Sequence, residues 1–295
     1  LIIIDTETMT KKIAFLGIGV MGAPMSLNLQ KKGYQVTVWN RSAASPHLAR
    51  VVTAGLSVTP AIATAVQDAD YIFSCVSDVP DVKAVLLGEE GVIHDAKPNA
   101  LIIDFSTIGK PAAQEITETL KTKNLRFLDA PISGGDVGAE NGTLTIMVGG
   151  DRPDFDDAKP YLEAMGKNIY YCGDTGSGQA VKMCNQVLCA IHMVALCEAI
   201  QLAQSQGLDP DLMIEVCQTG AAGSWAIANL GHKITARDFR PGFMIKHIIK
   251  DLRLVNESLS DLELPGLTLA TQKFKNTAQL ADALEQGTQA MFRSY

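Results

Sequence analysis

Three short runs in this chain combine residue types and spacings that can do chemistry: Gly17-Ile18-Gly19-Val20-Met21-Gly22, Ser133-Gly134-Gly135, and Lys182 with Asn185 and Gln186. The first is a GxGxxG motif. An apolar strand pattern, Ile13 to Leu16, runs into it and an amphipathic helix pattern leaves it, the context a dinucleotide site requires. Gly17 permits a tight turn, Gly19 removes a side chain that would block a pyrophosphate, and Gly22 lets the helix approach the strand. The helix N-terminus then faces the phosphates.

A second strand pattern, Gln35 to Trp39, ends at Asn40-Arg41-Ser42. In this position an Asp or Glu would accept hydrogen bonds from a free ribose 2′-hydroxyl. Without the acid a 2′-phosphate meets no repulsion, and the planar Arg41 cation can bind it with two hydrogen bonds. The expected cofactor is therefore NADP (NADPH) in preference to NAD. The alternative is that Arg41 is an ordinary surface residue beside a tolerant NAD site.

Positioning these residues takes more than one core. At 295 residues, 47% of them apolar, the chain suits two domains. Strand patterns recur at Ile13–Leu16, Gln35–Trp39, Tyr71–Cys75, Leu101–Asp104 and Arg126–Asp129, with helical patterns between most of them, predicting a doubly wound parallel sheet. Two further candidates, Thr143–Val148 and Asn168–Tyr171, flank a helix-compatible stretch from Asp154 to Met165 and extend the sheet. From Gly178 to about Gln206 a single long apolar helix pattern forms an interdomain spine. Helical patterns follow at Pro210–Cys217, Trp225–Leu230, Met244–Leu259 and Leu267–Glu285. The expected fold is thus α/β: an N-terminal Rossmann-type domain over 9–173 and an all-α domain over 174–295 that begins with the joining helix. Residues 1–8 read as an N-terminal extension.

Net charge of −7 argues against a nucleic-acid partner and against an anionic membrane surface. No run approaches the ~20 apolar residues of a membrane span. Six cysteines without CxxC pairs, and five dispersed histidines, offer no metal-ligand spacing and suit reduced thiols in a cytoplasmic setting. The expectation is a small-molecule acid substrate.

Four motifs in order, Phe15 to Met25, Asp129-Ala130-Pro131-Ile132-Ser133-Gly134-Gly135, Gly178 to Gln186, and Lys250-Asp251-Leu252, resemble the β-hydroxyacid dehydrogenase family. That family includes 3-hydroxyisobutyrate dehydrogenases and tartronate semialdehyde and glyoxylate/succinic semialdehyde reductases, and the resemblance covers nearly everything from Lys12 onward. It implies that Lys182 is the catalytic residue. Reduction of an aldehyde builds negative charge on oxygen, which a donor at that point stabilises. Asn185 and Gln186, at i+3 and i+4 on the same helical stripe, orient substrate or lysine. Relatives carry Asn-Asn where this chain has Asn185-Gln186, a variant similar to tartronate semialdehyde reductases.

The resemblance makes Ser133, Gly134 and Gly135 a substrate-binding loop, suited by its hydroxyl and open backbone N–H groups to a carboxylate. It makes Thr107 a cofactor contact, although capping of the next helix by Ser106 or Thr107 explains that pair as well. Val76-Ser77 lies at a strand end beside the cofactor, with Ser77 departing from the family's Leu-Pro. Lys250 matches a lysine that reaches the cofactor. Ser224 and Trp225 resemble a substrate-side loop, with simple core the alternative for Trp225. The implied activity is reduction of a small carboxylate-bearing aldehyde or keto acid to the hydroxy acid, and the reverse, by a homodimer or homotetramer. Alternatives are 3-hydroxyisobutyrate dehydrogenase or imine reductase activity and, in a different class, a catalytically silent dinucleotide-binding protein.

Overall fold

A computed structural model of the protein describes residues 11–295; the expected extension over residues 1–8 lies outside them. Two compact units divide between Lys182 and Met183. In the first, β1 (Lys12–Leu16), α1 (Gly22–Lys31), β2 (Gln35–Trp39), α2 (Pro46–Thr53), β3 (Ser57–Val58), α3 (Ile62–Val66) and β4 (Tyr71–Ser74) form the first half of a doubly wound sheet. The second half comprises α4 (Val79–Leu87), α5 (Val92–Asp95), β5 (Leu101–Asp104), α6 (Lys110–Lys121) and β6 (Arg126–Asp129). The order β3-β2-β1-β4-β5-β6 is parallel throughout and reverses direction between β1 and β4.

Strands β1, β4 and β5 read as unbroken apolar runs because helices cover both faces of the sheet. Ile13 and Phe15 point into one layer, Ala14 and Leu16 into the other. Phe73 stacks between Phe15 and Phe105 at centroid distances of 6.0 and 5.6 Å, tying three neighbouring strands together on one face.

Beyond β6 come β7 (Ile132–Ser133), α7 (Gly135–Asn141), β8 (Leu144–Gly149), α8 (Arg152–Leu162) and β9 (Gly166–Gly173). The expected doubly wound parallel sheet is present over β1 to β6, and the strands that extend it add a change of direction: β8 runs antiparallel to β6 and β7. A parallel neighbour needs a crossover of a dozen or more residues back to the starting edge. Gly134 and Gly142, both at positive φ, instead turn the chain back so that β8 pairs along the continuation of β6. The two-residue strands β3 and β7 are too short to show a period in the sequence.

α9 (Ser177–Ser205) crosses the division into the second unit. By length and composition it is apolar enough to cross a membrane, with a mean hydropathy of 1.6 over its best window, although polar residues interrupt its apolar run. Ala190, Met193, Cys197 and Ile200 on it are buried, as on the core helix of a folded unit.

The second unit continues with α10 (Pro210–Gln218), α11 (Trp225–Thr235), α12 (Ile245–Glu257) and α13 (Pro265–Thr277), then two 3-10 segments, Ala283–Glu285 and Thr288–Ser294. Asp209 caps α10 and Ser224 caps α11 with side-chain oxygens. On α12, Ile245, Ile248, Leu252 and Val255 are buried at helical spacing. The final helix stops at Thr277 rather than Glu285, with Ala278 as its C-cap, and the chain then turns through Asp282 in the left-handed region before the first 3-10 segment.

Candidate active site

Leu16, Ser74, Asp104 and Asp129 sit level with one another across β1, β4, β5 and β6. They mark the carboxyl edge of the sheet. The segments that leave this row carry Gly17 to Gly22, Val76-Ser77, Ser106-Thr107 and Ile132-Ser133, so four stretches far apart in sequence emerge along one edge. In an open α/β sheet that edge, where strand order reverses, is where ligands bind.

Gly17 turns there with φ +94°, and a Cβ on it would lie 2.3 Å from the Cys75 carbonyl oxygen. A Cβ on Gly22 would lie 2.0 Å from the Gly17 carbonyl oxygen; any larger residue would push α1 off the loop. Around Gly19 a Cβ would meet nothing within 4 Å, so this glycine answers to something other than the protein's own packing. α1 starts from Met21 with no side-chain cap and no acid in its first turn, leaving its N-terminal dipole unopposed for an anion. These residues fit a dinucleotide pyrophosphate. Val20 is exposed, whereas Ile18 is buried and its N–H donates to the Asn40 side-chain oxygen at 2.8 Å.

Asn40 also donates from its amide to the Ser42 carbonyl at 2.9 Å, so its side chain braces the glycine loop. Arg41, 78% exposed, reaches Asp81 in the first turn of α4 at 2.7 Å. This partner lies forty residues away along the chain, too far for sequence spacing to indicate it.

Two buried carboxylates organise the neighbouring strand ends. Asp104 Oδ1 accepts from Ser74 Oγ and Ser106 Oγ, each at 2.7 Å, while Oδ2 is buried without a hydrogen-bond partner. Loss of solvent around it, opposed by those hydroxyls and reinforced by the Asp129 charge, pushes its pKa up to about 6. Ser106 Oγ in turn accepts from the Val76 N–H at 2.9 Å. Ser106 therefore ties two strand ends together, and the expected helix cap is corrected: α6 begins at Lys110 with Gly109 as its N-cap and no side-chain cap bond, and the Ser106 hydroxyl is committed to Asp104 and Val76. Asp129 accepts from the N–H groups of Gly176 at 2.6 Å and Gln179 at 2.9 Å. Burial raises its pKa, against the pull of these backbone donors.

Lys182, only 6% exposed, donates from Nζ to the Ile132 carbonyl at 2.7 Å. The lysine is thereby held one residue from Ser133, with Gly134 and Gly135 following at positive φ. Within the first unit the structure brings together the lysine and the loop, which stand about fifty positions apart in sequence.

In the second unit, Gln186 is buried and donates to Asp251, and Asn185 donates to the Gln186 oxygen at 2.8 Å. Lys250 pairs with the other Asp251 oxygen at 2.8 Å. Asp251 thus gathers Gln186 and Lys250 into one network, and the two amides differ: Gln186 is a buried brace and Asn185 the half-buried member. Trp225 is 64% exposed and is no core residue. Asp104, Asp129, Gln179 and Asp251 were not singled out by the sequence. The signal available was polar residues inside apolar runs, as in Leu101-Ile102-Ile103-Asp104.

Residues 12–173 match the family described as the NAD binding domain of 6-phosphogluconate dehydrogenase, and residues 176–295 match the family described as NAD-binding of NADP-dependent 3-hydroxyisobutyrate dehydrogenase. The chain belongs to the β-hydroxyacid dehydrogenase family. An uncharacterized oxidoreductase of Synechocystis sp. is 54% identical over 96% of this chain and 98% of its own. The 2-hydroxy-3-oxopropionate reductase of Escherichia coli is 35% identical over 90% of each. Among solved structures, Mycobacterium tuberculosis 3-hydroxyisobutyrate dehydrogenase with L-serine superposes with a TM-score of 0.87 at 32% identity, covering 97% of this chain and 99% of that one. As a β-hydroxyacid dehydrogenase the protein is an NAD(P)-binding oxidoreductase acting on CH–OH.

Proposed function

We propose that the protein is an NADP-dependent reductase of a small aldehyde or keto acid bearing a carboxylate, of the glyoxylate, succinic semialdehyde or tartronate semialdehyde type, and that it also oxidises the corresponding hydroxy acid. The observation that carries this reading is the buried Lys182 ammonium on the Ile132 carbonyl, one residue from Ser133. Ser133 Oγ and the N–H groups of Gly134 and Gly135 grip the carboxylate. Lys182 faces the carbonyl oxygen, stabilises the charge that develops there and delivers the proton. Gly17, Gly19 and Gly22 with the α1 N-terminus hold the pyrophosphate, and Thr107 and Val76 lie along the same edge. A bound nicotinamide would supply the hydride.

Preference for NADP is supported by the absence of an acid at Asn40-Arg41-Ser42 and by the exposed Arg41 guanidinium, which exchanges Asp81 for the 2′-phosphate. Two of the relatives point to a β-substituted acid: 3-hydroxyisobutyrate and 2-hydroxy-3-oxopropionate both carry the reacting oxygen on the carbon β to the carboxylate. They also support a second reading, oxidation of 3-hydroxyisobutyrate. Six cysteines without CxxC pairs support a reduced, cytoplasmic setting. Exposed Leu188, Leu202, Leu212 and Val216 support a homodimer or homotetramer, which light scattering would test.

The deciding experiment is a panel of NADPH oxidation with glyoxylate, succinic semialdehyde and 2-hydroxy-3-oxopropionate, alongside NADP reduction with 3-hydroxyisobutyrate. The expected result is a kcat/KM at least about tenfold higher for one carboxylate-bearing aldehyde than for its uncharged analogue. Equal rates with the uncharged aldehyde would overturn the carboxylate reading, and a preference for NADH would overturn the NADP reading.

A further inference from the structure

Gln179 lies at the start of α9, is fully buried and has all of its side-chain polar atoms engaged on one short loop. Its Oε1 accepts from the N–H groups of Ile108 and Gly109, each at 3.0 Å, and its Nε2 donates to the Ser106 carbonyl at 2.8 Å. The Ser106 carbonyl and the Ile108 N–H belong to the two peptide groups that flank Thr107. A single side chain therefore bonds to both peptides around Thr107.

The same residue is fixed from its own backbone. Its N–H donates to Asp129 Oδ2 at 2.9 Å, and Gly176 donates to Oδ1 of the same carboxylate at 2.6 Å. The first turn of α9 is thus held to the end of β6 through Asp129 and to the β5–α6 loop through Gln179. Lys182 follows three residues later on the same helical face, and its ammonium rests on Ile132, just past β6. A buried amide with three good hydrogen bonds costs more than a similarly sized apolar residue unless every bond is made. The three backbone groups it meets all belong to the loop that leaves β5 at the carboxyl edge of the sheet.

We propose that Gln179 is a positioning residue: it locks the Thr107 loop and the first turn of α9 into one rigid piece, so that the Lys182 ammonium and the Thr107 edge keep a fixed separation. The inference rests on the reading of Lys182 and Thr107 given above. Positional errors of about 1 Å at a reacting group cost on the order of a hundredfold in rate, whereas the glycine loop that holds the pyrophosphate is untouched by Gln179.

The test is a cycle of four full-length proteins: wild type, Gln179→Met, Lys182→Ala and the double variant. Single-turnover NADPH oxidation is followed with 2-hydroxy-3-oxopropionate, or with succinic semialdehyde if that reacts faster, and NADPH binding is titrated separately by fluorescence. Gln179→Met should lower the rate about tenfold or more when Lys182 is present and no more than about twofold when it is absent, with the NADPH Kd changed less than about threefold. Gln179→Glu keeps the two bonds from Ile108 and Gly109 and loses the one to Ser106. It should give an intermediate rate, and it replaces Gln179→Met in the cycle if that variant does not fold. An equal cost in both backgrounds, or no cost, would overturn the positioning role, and so would a Kd that rises as much as the rate falls. Near-normal turnover of Lys182→Ala alone would overturn the underlying reading of the lysine, and the positioning role with it.

Discussion

The Lys182 ammonium donates to the carbonyl of Ile132 at 2.7 Å, so the basic side chain of α9 is anchored to the backbone one residue before Ser133. A cation held at that point can stabilise a developing oxyanion. Lys182→Ala should lower kcat roughly 100- to 10,000-fold while the NADPH Kd stays within about threefold, and pre-steady-state rates with separate titration of NADPH would show the split. A Lys182→Ala enzyme with wild-type turnover would remove the lysine from the reaction.

Ser133 stands beside that anchor, on the two-residue strand β7, with a hydroxyl and two following glycines. A hydrogen bond to a charged group is worth about 1.5–3 kcal/mol. Ser133→Ala should accordingly raise KM for the acid substrate roughly tenfold or more and leave the NADPH Kd unchanged. Steady-state kinetics on the best aldehyde of the panel would measure it, and an unchanged KM would dismiss Ser133 as a carboxylate ligand.

Arg41 offers a sharper contrast. Its pair with Asp81 is largely solvated and contributes little to stability. Arg41→Ala should leave the melting temperature within about 2 °C of wild type and lower kcat/KM for NADPH roughly 10- to 100-fold, with little effect on NADH. Equal losses with both cofactors would show that the guanidinium does not read the phosphate.

Gly19 and Gly22 belong to one motif but should fail differently. Gly22→Ala places a methyl 2.0 Å from the Gly17 carbonyl oxygen and should destabilise the fold by about 2 kcal/mol or more. Gly19→Val meets open space, so chemical denaturation should barely register it, whereas NADPH binding should weaken at least about tenfold. Equal destabilisation by the two substitutions would contradict this division of labour.

Asp104 makes a pH prediction whose sign follows from burial. Its folded pKa of about 6 lies above the ordinary 3.8, so between those values the folded state binds more protons than the unfolded one. Stability from this group is highest below about pH 4, falls as pH rises to about 6 and is level above that. Asp104→Asn should flatten the decline between pH 4 and 7 by about 2 kcal/mol. Urea denaturation of both proteins across that range would reveal it, and parallel curves would mean that the carboxyl is not the titrating group.

Much of this was legible in the sequence because backbone geometry imposes it. Gly17 and Gly22 are glycines for steric reasons that any strand-turn-helix shares, and β1, β2, β5 and β6 announced themselves by apolar runs between turn residues. The antiparallel return of β8 was not legible, since direction is set by how Gly134 and Gly142 turn the chain and not by the period of the strand. Lys182 and Ser133 could be nominated by motif, but their closeness depends on register between β6, β7 and β8. Asp129 and Gln179 were passed over because their partners are backbone groups, which leave no mark in a sequence. Asp81 was hidden for a related reason: one surface acid in 32 Asp and Glu residues is indistinguishable until α4 brings it to Arg41.

Asn40 carries a consequence for how this enzyme could change its diet of cofactor. Its side-chain oxygen takes the Ile18 N–H and its amide gives a hydrogen bond to Ser42, so the residue at the ribose end of β2 is also the keystone of the glycine loop. An aspartate there would keep the first bond and lose the second. Placing an acid at the ribose end of β2 is therefore coupled to the loop's own integrity, whereas the charge of Arg41 and its partner Asp81 can change without touching these two bonds.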